Sequence, residues 1–262
     1  MPEILPVEND IRIAKIEEPS SLFSGNDILW TLNLNEKAFA ITATDIIDIE
    51  ENISFPIPQE FGLPIQTIGM EDLNLIFLLN DGGEIISYSP ASDKFSGNNI
   101  SIPTDSEIVS MGSYLTYIYL ADRKNSQIYR YPRAEGGFGE KSDWLKDTLD
   151  LSGMSAMAIN ENIFISTGSD VTKLFRGKIE ALDLEETTVP LEISSIALGE
   201  ETGNLFVLDK ENSRIVSYDE GGRIKVQYYH PVIRSSSGLA LDEKNGLIYI
   251  TSEESIRTIP LQ

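Results

Sequence analysis

An internal repeat of about 43 residues constrains this chain more than any other feature. An aromatic residue, two further residues, a polar residue, a short turn, an apolar residue and often a tyrosine recur along it. Two copies share one register: Tyr119-Leu120-Ala121-Asp122-Arg123-Lys124-Asn125-Ser126-Gln127-Ile128-Tyr129 and Phe206-Val207-Leu208-Asp209-Lys210-Glu211-Asn212-Ser213-Arg214-Ile215-Val216. They lie 87 residues apart, two periods of the length of a four-stranded propeller blade. Weaker copies carry Phe77, Phe164 and Tyr249, and Trp30 is read as the first member. The ladder Trp30, Phe77, Tyr119, Phe164, Phe206, Tyr249 then has intervals of 47, 42, 45, 42 and 43.

Each unit parses into short β-rich runs separated by turn residues. In the fifth these are Ile193–Leu198, Asn204–Leu208, Arg214–Tyr218 and Ile224–Tyr229. No segment sustains a 3.6-residue period, which excludes a helical solenoid. A flat array of such strands would expose long edges, whereas radial closure leaves only short ones. The expectation is an all-β, six-bladed β-propeller of four-stranded antiparallel blades, one domain over 1–262. Approximate blades are 19–58, 59–103, 104–148, 149–190, 191–233 and 234–262 plus 11–17. The last range leaves blade six one strand short, so an N-terminal strand, Ile11–Ile16, is expected to pair with Ser255–Leu261 and close the last blade.

Composition narrows the function classes. With no cysteine, disulfides and thiolate chemistry are excluded. No apolar run is long enough to span a membrane, and Met1-Pro2-Glu3-Ile4-Leu5 lacks the start of a secretory signal. Pro2-Glu3 reads as a cut edge behind an added Met. The net charge of −22 repels phosphate backbones, which argues against nucleic acid as a partner. Such acidity keeps a monomer in solution, or offers a docking face to a basic partner or Ca²⁺.

Asp209, Asn212, Arg214, Ile215, Tyr218, Asp219 and Gly222, preceded by Ser195-Ile196-Ala197-Leu198, resemble the NHL repeat. Ser237-Gly238-Leu239-Ala240-Leu241-Asp242 with Gly246-Leu247-Ile248-Tyr249-Ile250 resembles its first half. The match weakens in blades one, two and four, where the turn after the aromatic strand reads as shortened. Tyr129 through Gly139 is similar to propeller domains of membrane-anchored bacterial proteins, some with a metal-dependent protein-phosphatase-like domain upstream. The NHL resemblance implies a non-catalytic binding or scaffold propeller recognising a protein or a small molecule. The second implies one module of a larger protein, extracytoplasmic and tethered through an upstream segment.

In a propeller, the loops joining the second strand to the third, and one blade to the next, gather on one face. Asp122, Asn125, Asp209 and Asn212 fall in such loops, where they either build the turn or point at a ligand. His230 and Arg234 fall in the loop leaving blade five. As the only histidine, His230 supports neither a catalytic triad nor a multi-histidine metal site. Arg123, Lys124, Arg130, Arg133, Lys141, Lys146, Lys173, Arg176 and Lys178 form a basic island interspersed with Tyr129, Tyr131, Phe138, Trp144 and Phe175. It is either a solvated sheet surface or a docking surface built on Arg130, Arg133, Trp144 and Arg176. No catalytic group, metal ligand or cofactor is assigned. The alternative is a calcium-dependent lactonase-type hydrolase, because such enzymes also use six-bladed propellers and gather their ligands from separate blades.

Overall fold

The computed structural model describes residues 12–16 and 18–262 and forms a six-bladed propeller. Strands are lettered A to D from the axis outward. The A strands are Ile28–Leu34, Pro64–Met70, Ile108–Tyr114, Met154–Ile159, Ser195–Leu198 and Gly238–Asp242. Each contacts the next in chain order and the last contacts the first, so the ring is closed. Among the described residues there is no α-helix, only the 3₁₀ turns Gln59–Phe61, Glu71–Leu73 and Pro231–Ser235, and no helix is long and apolar enough to cross a membrane.

The core is six wedges between blades. Leu32, Phe39, Ile76 and Tyr88 fill the blade one–two wedge, and Phe77, Leu79, Ile118 and Tyr129 the next. Because each B strand is sandwiched on both faces, its residues are buried continuously, as in Leu205–Asp209.

The ring closes through the N-terminal segment by a different stretch from the one expected. Ser20–Ser24 pairs antiparallel with Ser255–Pro260 and is the D strand of blade six. Arg12–Lys15 runs parallel to blade five's D strand, with Arg12 opposite Val226 and Lys15 opposite Tyr229, making a fifth strand there. Ile11 lies outside the described residues. The alternation in 11–16 did signal a strand: Ala14 is buried in the blade five–six wedge and Ile16 packs against it. The serine-rich Ser20-Ser21-Leu22-Phe23-Ser24 gives a weaker apolar signal, yet Phe23 packs against the blade six–one wedge.

Trp30 is also misplaced in the ladder. It lies on an A strand opposite Ile41, and the residue matching Phe77 and its successors is Phe39 on Lys37–Thr42. Blades one and four have the expected short turn after the B strand, at 43–44 and 168–169, but blade two keeps a full one, 81–84, and blade six has a short one that was not expected, at 253–254.

Candidate functional site

The two faces use their polar residues differently. On the face of the B–C and D–A loops, the repeat's Asp and Asn side chains bind the protein's own backbone. Asp122 is fully buried and accepts from the amides of Glu107 (3.0 Å) and Asn125 (3.2 Å), from Asn125 Nδ2 (2.6 Å) and from the Tyr129 hydroxyl (3.0 Å). These donors together hold its carboxyl below the usual aspartate range, although burial pushes the other way. Asn125 Nδ2 also donates to the Asp105 carbonyl at 2.7 Å, Asn212 Nδ2 to Pro190 at 3.2 Å, and Asn80 Nδ2 to Phe61. In three blades, then, a side chain at the B–C turn clamps the loop that enters the same blade.

Asp209 is equally buried and meets Arg214 Nε at 2.7 Å. Arg214 reaches onward to Gln227 and to the carbonyl of Val189 at 2.6 Å, fixing the long loop before blade five. His230 Nδ1 accepts from the Val232 amide at 3.2 Å, and Arg234 lies 3.7 Å from Glu211. His230, Arg234, Asp209 and Asn212 therefore share the blade-five neighbourhood, while Asp122 and Asn125 sit two blades away.

The basic island is dispersed. Arg123, Lys124, Lys141 and Lys173 pair with Glu107, Asp105, Asp143 and Glu180. Arg130 stacks over Tyr117 at 5.0 Å, Arg133 over Phe138 at 5.4 Å, and Arg176 over Phe175 at 4.9 Å. Trp144 is buried edge-on against Tyr119. Arg130 and Arg133 rest on aromatics of two different wedges, those of blades three–four and two–three.

The opposite face carries a site that the sequence reading missed. Where the A strands of blades five, six, one and two converge, a cavity of about 270 Å³ opens toward the A–B hairpins. Glu36, Glu71, Glu200, Glu201 and Glu243 line it, with Lys244 the one basic residue. The hairpins explain the placement. Asn35 and Glu36 both have positive φ, as a two-residue type I′ turn requires, and this turn joins Leu34 to Lys37. Glu71 opens a 3₁₀ turn and accepts from the Asn35 amide at 3.1 Å. Glu243 takes the Glu201 amide at 2.6 Å and the Thr202 hydroxyl at 2.5 Å, tying blade six to blade five. Lys244 pairs with Glu36 at 2.6 Å. Glu200, which reaches solvent, has no such partner among the described residues; crowding by protein atoms and then the charges of Glu71 and Glu243 raise its pKa. The Oδ1 atom of Asn33 is buried in the same cavity wall and has no hydrogen bond among the described residues. The only sequence signal for this site was the acidity of hairpins at matching positions in the repeat.

Among the described residues, no three His, Cys, Asp or Glu side chains converge in an arrangement that could hold a metal ion.

No family model matches the sequence, and no curated protein sequence matches it. The fold is that of a six-bladed β-propeller. Among solved structures that share it is a gluconolactonase from Xanthomonas campestris, with a TM-score of 0.67 and 10% sequence identity over 92% of this chain and 89% of that one.

Proposed function

We propose that this chain is a non-catalytic recognition propeller, one module of a larger extracytoplasmic protein, that binds a lysine- or arginine-bearing segment of a partner at its A–B face. The observation that carries this reading is the convergence of five glutamates from four blades on one axial cavity, with a single lysine against them. Burial first, and then the charges of Glu71 and Glu243, raise the Glu200 pKa, and a cationic side chain entering there would offset that repulsion. Binding of tetralysine, measured by calorimetry, should saturate, weaken as salt rises, and fall in Glu200→Gln. Salt-independent binding, or equal affinity in the variant, would count against it. The same reading keeps Arg133 and Arg176 as contacts for an acidic segment; reversing both charges should then weaken binding of the larger partner.

The likeness to a gluconolactonase supports a second reading, a lactonase-type hydrolase. Its test is hydrolysis of glucono-δ-lactone by the purified protein, with and without added Ca²⁺. Turnover that tracks protein concentration and disappears in axial-cavity variants would replace recognition by catalysis.

A further inference from the structure

A second cleft, of about 670 Å³, lies at the junction of blades four and five, far from the axis. One wall is the strandless stretch 181–194, longer than most loops of compact domains. That wall is fixed in place. The Glu185 amide donates to the Gly222 carbonyl at 2.8 Å, and the Glu185 carboxylate takes the Ile224 amide at 2.8 Å. Gly222 has φ +82, and a Cβ there would fall 2.2 Å from the Asp183 carbonyl, so only glycine permits this approach.

The cleft has two layers. Asp170, Asp183 and Glu186 stand exposed at its rim, and none of them forms an ion pair among the described residues. Below them, Leu184 and Leu191 offer hydrocarbon, and Tyr218 completes the lining. Tyr218 is wholly buried, yet its hydroxyl has no hydrogen-bond partner among the described residues. Burial pushes that hydroxyl up to about 12, so it remains a neutral phenol able to donate or accept. An unpartnered buried hydroxyl is a net cost to a fold unless something meets it.

We propose that this cleft binds a small primary alkylammonium compound, its chain against Leu184 and Leu191 and its ammonium shared between the Tyr218 oxygen and the rim carboxylates. The chemistry follows from the layers: negative charge without a counter-ion, an apolar wall, and one hydroxyl free to accept from N–H. The site is independent of the axial cavity and does not rest on the function proposed for it.

The test uses the whole chain with pentylamine, and with 1-pentanol as the uncharged control, by calorimetry and by side-chain NMR of the tyrosines. Pentylamine should bind with one-to-one stoichiometry, and 1-pentanol at least tenfold more weakly. Tyr218→Phe keeps the ring and removes only the unpartnered hydroxyl. It should leave the melting temperature unchanged or raised and weaken pentylamine about tenfold, as expected for a hydrogen bond to a charged group. Asp183→Asn with Glu186→Gln should weaken it similarly, while Glu200→Gln should have no effect. No saturable binding, equal binding of the alcohol, or affinity unmoved by both cleft variants would overturn the proposal. A marked loss of stability in Tyr218→Phe would also overturn it, since the hydroxyl would then have a structural partner.

Discussion

The two faces of the propeller carry similar residue types and use them in opposite ways. On the B–C and D–A face, Asp122 and Asp209 are buried and saturated by amides, carboxamides, a phenol and a guanidinium. On the A–B face, carboxylates from separate blades meet around a cavity, and among the described residues those of Glu200 and Glu201 have no hydrogen-bond or ion-pair partner. A carboxylate inside its own turn is part of the fold. One brought near other carboxylates by the ring is what the proposed recognition of a cationic segment would use.

Blade six shows why the repeat motif could not mark one face of the ring. Asp242-Glu243-Lys244-Asn245 has the spacing of Asp122–Asn125, and its aspartate accepts from the Asn245 amide (3.0 Å) and the Tyr249 hydroxyl (2.8 Å) just as Asp122 does from Asn125 and Tyr129. Yet this turn joins the A and B strands and lies on the opposite face. In all three copies the residue after the asparagine, Ser126, Ser213 or Gly246, has positive φ. The motif is thus a device for a tight hairpin, wherever the hairpin falls.

Both faces depend on the closed ring, so the largest effect is expected from opening it. A chain beginning at Gly25 lacks the D strand of blade six and should lose more thermal stability than any substitution below. One beginning at Pro19 lacks only the fifth strand on blade five and should lose much less. Equal melting temperatures for the two would show that Ser20–Ser24 is not the latch.

Next comes Asp209→Ala, which strands the buried Arg214 guanidinium; a loss of about 3–5 kcal/mol is expected in denaturant unfolding. Tetralysine affinity under native conditions should be unchanged, since the turn faces away from the cavity. Asn125→Ala removes one clamp on the loop entering blade three and should cost about 1 kcal/mol by the same measurement. Glu200→Gln should show the smallest effect, a gain whose size is set by pH. The native protein holds this proton at a higher pH than the unfolded chain does, so stability is lost as pH rises from the ordinary glutamate value of 4.5 through the raised native one. The variant escapes that loss: its melting temperature should match the parent's well below that range and exceed it at neutral pH.

Much of the fold was legible because the blade repeat places Phe77, Tyr119, Phe164, Phe206 and Tyr249 on successive B strands, where both faces are packed. Trp30 misled because an aromatic on an A strand satisfies the same approximate spacing as Phe39 on the B strand. The latch misled because Ser20–Ser24 pairs through its backbone and needs little apolar patterning to do so. The axial cavity left no trace in the sequence beyond the acidity of its hairpins. Glu36, Glu71, Glu200 and Glu243 are scattered through the sequence, and only closure of the ring brings them together.

The central claim is that ligands meet the A–B face. Hydrogen exchange of the full chain with and without saturating tetralysine tests it most directly. Slowed exchange is predicted in Asn33–Glu36, Leu198–Glu201 and Ala240–Lys244, with the B–C turns at 123–126 and 210–213 unchanged. Protection confined to those B–C turns and to the loop around His230 and Arg234 would contradict it.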